Sequence, residues 1–344
     1  METNNSTAFT TNTSTSGHLL SSSWDITDLT RAAVLSLSFL LGFSGNIAVL
    51  ILKPNIQTLS PLSQSLMLNL AVSDLLCVLT LPFWIYDQLF SWTLGLVACK
   101  LLTFLLFLSI FCSLLTVTLL SVQRYLVVVK QRNALNHFGA KRLLVLLWIA
   151  SLIASIPNCI TRKEVGTEVK KYCGFDYSSE ALRVVLIEEM TVGFITMFIV
   201  AFSYISLYRK VNRSVLFNHP QTTRLISSVT VTFFLLYFPY HVINVLSLTA
   251  MTQNIKDLMD FCTNSRYTFG AIVLLSSALN PLLYAFNSCN FWRCTEKLKC
   301  WGRNSVVSQS QSNNTTTDAV SVSVQTFIFN VENVISTSRE EPKN

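Results

Sequence analysis

Apolar runs of bilayer length alternate with short polar stretches along most of this chain. Seven runs stand out, at roughly 32–53, 62–86, 99–129, 141–158, 182–209, 223–250 and 266–287. A helix needs about 20 apolar residues to cross a hydrocarbon core, so the pattern predicts seven membrane-spanning helices. Two runs are interrupted by residues that lipid does not tolerate. Arg124 ends the third, where a guanidinium must face protein or reach water. Asn280-Pro281-Leu282-Leu283-Tyr284 breaks the seventh from within, so its backbone groups need partners from neighbouring helices or water. The expected fold is an all-α, seven-helix membrane bundle built to rearrange, followed by a short amphipathic helix on the membrane surface.

Charge orients the bundle. One set of connections carries Lys53, Lys130, Arg132, Lys141, Arg142, Arg209, Lys210, Arg213, Arg224, Arg293, Lys297, Lys299 and Arg303, with Glu296 as its acid. The opposite set (1–31, 87–98, 159–183 and 251–266) mixes both signs. The positive-inside rule makes the first set cytoplasmic, the N-terminus extracellular and the span count odd. The net charge of +7 is thereby explained without nucleic acid, for which no basic groove or aromatic platform is present. The first 30 residues show no signal-peptide pattern, so the first span is expected to act as its own insertion signal.

Four stretches are expected: a glycosylated extracellular tail (1–31), the seven-helix bundle (32–287), an amphipathic helix (288–302) and a disordered cytoplasmic tail (303–344). Sequons at Asn4, Asn5 and Asn12 agree with an extracellular start. Asn212, Asn313 and Asn314 fall inside and should stay unmodified. Among nine cysteines, Cys99 and Cys173 both face the oxidising side and can form a disulfide that pins the longest outer loop over the bundle mouth. Cys77, Cys112 and Cys159 read as small buried apolar residues. Cys294 and Cys300 lie on a basic, aromatic, amphipathic stretch that begins Phe291-Trp292-Arg293 and suits palmitoylation at the membrane surface. Cys262 has no evident partner. The Ser/Thr-rich tail from Ser305 to Ser338 offers phosphorylation sites.

Gly45-Asn46, Leu70-Ala71-Val72-Ser73-Asp74, Cys99, Gln123-Arg124-Tyr125, Trp148, Cys173, Phe233 with Pro239, and Asn280-Pro281-Leu282-Leu283-Tyr284 occur in one order along the chain. Together they resemble rhodopsin-like (class A) G-protein-coupled receptors. Phe238 to Asn244, Leu275 to Pro281, Val192-Gly193-Phe194 and Ser203-Tyr204 look like the chemoattractant group, and most closely like leukotriene B4 receptors. Arg266 also stands where those receptors carry an arginine. The resemblance implies chemotactic signalling through heterotrimeric G proteins of the inhibitory class, with receptor kinases and arrestin acting on the tail.

By that resemblance Arg124, Gln123, Tyr125, Tyr204, Tyr284, Asn280 and Pro281 belong to the activation machinery. Asp74, Ser113 and Asn280, with Ser277 nearby, would hold an allosteric sodium ion. Gln123 replaces the usual acid beside the arginine, Tyr237 the usual tryptophan, and Met197 the usual proline of span 5. The first change removes an ion pair and predicts raised basal activity; the last puts the usual span-5 bulge in doubt. Candidate ligand contacts are Phe104, Phe107, Leu108, Glu189, Tyr237, His241, Asn244 and Arg266, with Arg162, Lys163 and Arg183 as alternative loop cations. An oxidised lipid acid such as leukotriene B4 needs an apolar channel with a few polar anchors. Of Glu188 and Glu189, adjacent on one helix, at most one can face the channel.

Other classes fit less well. No internal repeat suggests a transporter. No lysine lies between Lys256 and Lys297 to form an opsin Schiff base. His137, His219 and His241 are scattered without metal or nucleophile spacing, so no enzyme is expected. A chemokine or peptide receptor is the serious rival, since Leu81-Pro82-Phe83-Trp84 looks like that group. Against it, the N-terminal tail has no cysteine to join Cys262, few acids and no tyrosine.

Overall fold

The computed structural model describes residues 25–52, 60–132, 135, 139–166, 170–175, 180–213 and 220–287, without the side chains of 52, 211–213, 220–230 and 283–287. The glycosylation positions Asn4, Asn5 and Asn12, the cysteines Cys294 and Cys300, the surface helix and the Ser/Thr-rich tail lie outside the described residues.

Helices α1 (Ile26–Leu52), α2 (Pro61–Leu89), α3 (Gly95–Arg124), α4 (Ala140–Thr161), α5 (Glu180–Arg213) and α6 (Pro220–Gln253) follow in order, with strands β1 (Arg162–Gly166) and β2 (Lys171–Phe175) between α4 and α5. Each of these six helices holds a window long and apolar enough to cross a membrane. The seventh span is two helices, α7 (Lys256–Leu274) and α8 (Ser276–Asn287), packed against α1 and α6. It is therefore not the continuous helix expected from hydropathy. Leu275 N–H turns back to Ile272 O, and Pro281 can give no N–H to the Ser277 carbonyl one turn earlier. Adjacent Ser276 and Ser277 and a proline are among the ordinary causes of such breaks.

Inside-out patterning confirms a membrane bundle. Phe198 (72% exposed) and Leu235 (70%) face outward, while Asp74, Asn244 and Ser247 are fully buried. Where lipid replaces water, helices gain little by hiding apolar groups from one another, and close backbone approach and polar contacts hold them together. Gly45 shows the first: a Cβ there would lie 2.8 Å from Pro281 Cβ, so the α1–α8 contact requires glycine. Asn46 shows the second. Its Nδ2 donates to Gly42 O and Ser277 O, both at 2.9 Å, and so satisfies the carbonyl that Pro281 leaves bare. Trp148 Nε1 donates to Asn69 Oδ1 at 2.9 Å and Asn69 Nδ2 to Thr116 at 2.9 Å, tying α4, α2 and α3.

One end of the bundle is closed by the antiparallel β1–β2 hairpin, which pairs Arg162 with Phe175 and Glu164 with Cys173. Cys173 is bonded to Cys99 of α3, so the expected disulfide is present. Trp92 N–H donates to Lys171 O at 2.8 Å, fastening the hairpin to the α2–α3 connection. Arg31 of α1 reaches Thr268 and both oxygens of Asn264 on α7 and pairs with Asp28 at 3.3 Å. Lys170, beside the hairpin, also pairs with Asp28 at 3.3 Å.

Candidate functional site

A cavity of about 1080 Å3, counted with its open mouth, lies beneath the hairpin. Its deep wall is apolar, from Phe107, Ile110, Phe111 and Leu114 of α3 and Val273 and Leu274 of α7. These positions recur at helical spacing, which places them along one face of each helix. Tyr237, Tyr240 and His241 of α6, Glu189 of α5 and Arg266 of α7 add polar groups on one side. Arg31, Trp84, Asp87 and Gln88 line it from α1 and α2, and Arg162 and Phe175 from the hairpin.

The polar side centres on a buried ion pair. Glu189 and Arg266 side chains are each 4% exposed, with Arg266 Nη2 3.4 Å from Glu189 Oε2. The same oxygen accepts from Tyr240 OH at 2.8 Å and Asn244 Nδ2 at 2.9 Å. Arg266 Nη1 donates to Asn244 Oδ1, Nη2 donates to Tyr240 OH at 3.3 Å, and the guanidinium lies 5.5 Å from the Tyr240 ring centre. Pairing with such extra hydrogen bonds is what makes two buried charges tolerable. The cluster is still incomplete. Glu189 Oε1 and both nitrogens of His241 are buried with no partner among the described residues. His241 lies 5.5 Å from the Phe194 ring, and a Cβ on Gly193 would come within 2.0 Å of His241 Cε1. Gly193 therefore makes the room that His241 occupies.

Most expected contacts meet here. Arg266, Glu189, His241, Tyr237 and Phe107 line the cavity, and Asn244 stands behind the wall, bonded to two of them. Of the two adjacent acids, Glu189 lines the cavity and Glu188 does not. Two expectations are corrected. Phe104 and Leu108 do not line the cavity. Phe104 sits nearly one turn from Phe107 toward the hairpin, and Leu108 is turned 100° from Phe107, the angle between successive helical residues. Of the loop cations, Arg162 enters the site: it donates to Cys173 O at 2.8 Å and lies 3.9 Å from the Phe175 ring centre. Arg183 instead pairs with Glu180 and donates to Met251 O, and Lys163 is exposed. Sequence reading missed Arg31, Asp87 and Trp84; a charge one turn inside a span's end was the available signal.

Below the cavity, Tyr237 stacks on Phe233 with ring centres 4.6 Å apart and fills the floor in place of a larger indole. Helix α5 runs unbroken through Met197, so no bulge replaces the missing proline. Deeper still, Asp74 is 0% exposed; Ser113 Oγ donates to its Oδ1 at 2.7 Å and Asn280 Nδ2 to its Oδ2 at 2.7 Å. Ser277 stands beside the same carboxylate.

At the far end from the hairpin, Arg124 precedes a π-helical turn, Tyr125–Val129. Its Nε is buried with no acceptor among the described residues. Beside it stands Gln123. It is 2% exposed, accepts from Ser63 Oγ at 3.0 Å and donates to Ser60 Oγ at 2.7 Å, holding α3 to the start of α2. A neutral clasp thus stands where a charged one was expected to be missing. Tyr125 packs 5.5 Å from Phe202 and Tyr204 6.3 Å from Tyr208, while Tyr284 is described by its backbone alone.

A model of the 7 transmembrane receptor (rhodopsin family) group matches residues 45–284. Over 278 residues the chain is 28% identical to chemokine XC receptor 1 of Homo sapiens, covering 78% of this chain and 80% of that relative. With seven spans, a disulfide-pinned hairpin over one cavity and an arginine at the opposite end of α3, the chain is a receptor of the membrane rather than an enzyme, and it belongs to the rhodopsin family of seven-transmembrane receptors.

Proposed function

We propose that this chain is a plasma-membrane G-protein-coupled receptor for an oxidised lipid acid such as leukotriene B4, with its hairpin end extracellular. The observation that carries this reading is the cavity's composition. Three guanidinium groups, Arg31, Arg162 and Arg266, converge on an otherwise largely apolar cavity that holds two carboxylates, Asp87 and Glu189. An acid with a long hydrocarbon chain satisfies both features, with its carboxylate on a guanidinium and its chain against Ile110, Phe111 and Leu114. His241 and Glu189 Oε1 supply hydrogen-bonding groups for hydroxyls.

A peptide-ligand receptor is the second reading, favoured by the similarity to chemokine XC receptor 1. Cys262 argues against it. The thiol is buried in α7, and the N-terminal tail has no cysteine to pair with it.

Signalling follows as a two-state equilibrium. Ligand that binds one arrangement better raises its population. Pro239 in α6 and the break at Leu275 allow these helices to move as segments, and Arg124, with no ion pair among the described residues, is the group offered to a G protein of the inhibitory class. Receptor kinases and arrestin would act on the tail. Asp74 needs a counter-charge at its depth, and Ser113 and Asn280 keep oxygen lone pairs beside it; these residues fit a sodium ion, which would supply that charge and hold the spans together.

The test is G-protein activation in cells expressing the chain, with and without leukotriene B4. A response that falls at least tenfold in potency in Arg266→Ala and Arg162→Ala supports the reading, on the order of one lost charge-assisted contact. Silence of surface-expressed receptor to that lipid, with a response to a peptide ligand, would replace it with the second reading.

A further inference from the structure

We propose that Asp28 and Lys170 form an electrostatic latch across the rim of the cavity, which sets how fast an acidic ligand enters and leaves without touching it once bound. The inference rests on the lipid-acid reading and adds a kinetic control to it.

Two bodies border the rim here, and each is held together by strong ties. The first is α1 with α7. Arg31, whose side chain is 7% exposed, donates from Nε to Thr268 Oγ1 at 3.1 Å, and from Nη2 to Asn264 O at 2.9 Å and to Asn264 Oδ1. The second is the hairpin with α2 and the start of α3. Cys173 is bonded to Cys99, and its N–H donates to Asp87 Oδ1 at 3.1 Å. Trp92 N–H donates to Lys171 O at 2.8 Å, and Lys170 Nζ donates to Gln88 O at 3.3 Å. Both bodies line the cavity, Arg31 and Tyr267 from the first, Asp87, Gln88 and Arg162 from the second.

Asp28 bridges them. Its Oδ1 lies 3.3 Å from Arg31 Nη1 and its Oδ2 3.3 Å from Lys170 Nζ. Exposure decides which contact yields. The Asp28 and Lys170 side chains are 20% and 31% exposed, so water and salt screen their attraction, and a pair of this kind opens readily. The bonds of Arg31 to α7 are shielded, and the disulfide is covalent. Opening therefore parts the hairpin from α1 while α1 stays on α7 and the hairpin stays on α3. Neither Asp28 nor Lys170 lines the cavity. A ligand at rest inside touches neither, whereas a long acid crossing the rim meets the pair. A contact that must open only during passage raises the barrier equally in both directions, so it slows entry and exit in the same proportion.

The experiment is association and dissociation of radiolabelled leukotriene B4 on the full-length, surface-expressed receptor at physiological ionic strength. Asp28→Asn keeps the side chain's shape and removes its charge; Lys170→Met removes the opposite charge. Each is expected to raise kon and koff by about two- to fivefold and to leave Kd within about twofold of the native value. Added salt should speed dissociation from the native receptor and leave Asp28→Asn unmoved, since its ion pair is already gone. Simple steering of an anion by surface charge would instead move kon in opposite directions in the two variants and leave koff alone. That outcome, unchanged rates in both variants, or a weaker Kd through koff alone would overturn the latch while leaving the lipid-acid reading standing. If the native receptor binds no leukotriene B4, that reading itself fails, and this inference with it.

Discussion

Two buried charged clusters sit one above the other in this bundle, and they differ in what they leave unmet. Around Asp74 each carboxylate oxygen takes a short hydrogen bond, and the donors Ser113 and Asn280 are small groups on adjoining helices. Around Arg266 one oxygen of Glu189 accepts three bonds while the other has none, and His241 beside it has no partner for either nitrogen among the described residues. Both clusters are buried, and the second lines the cavity. The Asp74 network is met in its hydrogen bonds and lacks only a counter-charge, whereas unmet hydrogen-bonding groups facing a cavity call for a ligand.

The largest expected effect comes from splitting the second pair. Glu189→Ala leaves Arg266 buried without its carboxylate and should cost the ligand-free receptor about 3–5 kcal/mol in thermal unfolding. The double change with Arg266→Ala should cost less than Glu189→Ala alone. Additive losses would mean that the two residues do not act as a pair. Next, Gly193→Ala pushes a methyl into His241 and should destabilise by about 1–3 kcal/mol through overpacking. His241→Ala in that background should recover most of the loss, which a backbone effect of the alanine would not permit.

A smaller change is expected at the Arg124 end. Gln123→Ala removes the bonds to Ser60 and Ser63, worth about 1 kcal/mol each, and should raise ligand-independent G-protein signalling above that of the native chain. Unchanged basal signalling would show that the clasp does not restrain the inactive arrangement. The smallest effect is at the hairpin. Partial burial acts to lower the affinity of Lys170 for its proton, but the hydrogen bond to Asp28 together with Tyr172 and the Asp28 charge outweighs it and holds the ammonium above its usual value. A group whose folded value is raised stabilises fully below the unfolded value, here 10.5, and loses that contribution as pH rises further. Lys170→Met should thus shift unfolding equally at about pH 6 and about pH 9, with the difference shrinking only in stronger base.

Spans two to six are legible in the apolar runs because each helix must satisfy its own backbone in lipid. The first run begins six residues late in that reading, at 32 rather than Ile26, because Asp28 and Arg31 look like the end of a span. They are instead folded against α7 and the hairpin, where each finds a partner. The seventh run hides its break for the opposite reason: Leu275 is as apolar as its neighbours, and the turn there comes from Pro281 and the paired serines. Within the site, Arg266, Glu189 and His241 announce themselves as polar residues inside apolar runs. Trp84 does not, since an aromatic ring is ordinary in any span.

By itself the sequence determined the class of this protein: bilayer-length runs admit a helical bundle, and an ordered set of polar residues within them identifies the rhodopsin family. Tertiary structure alone decided which polar residues meet. Glu189 and Arg266 are 77 residues apart, Gln123 and Ser60 63, and Asn46 and Ser277 231. Such pairings depend on helix rotation and on where each backbone turns, and these follow from how side chains of many spans fit at once. Hydropathy measures only whether one segment prefers lipid to water, so it carries no record of which neighbour each segment will face.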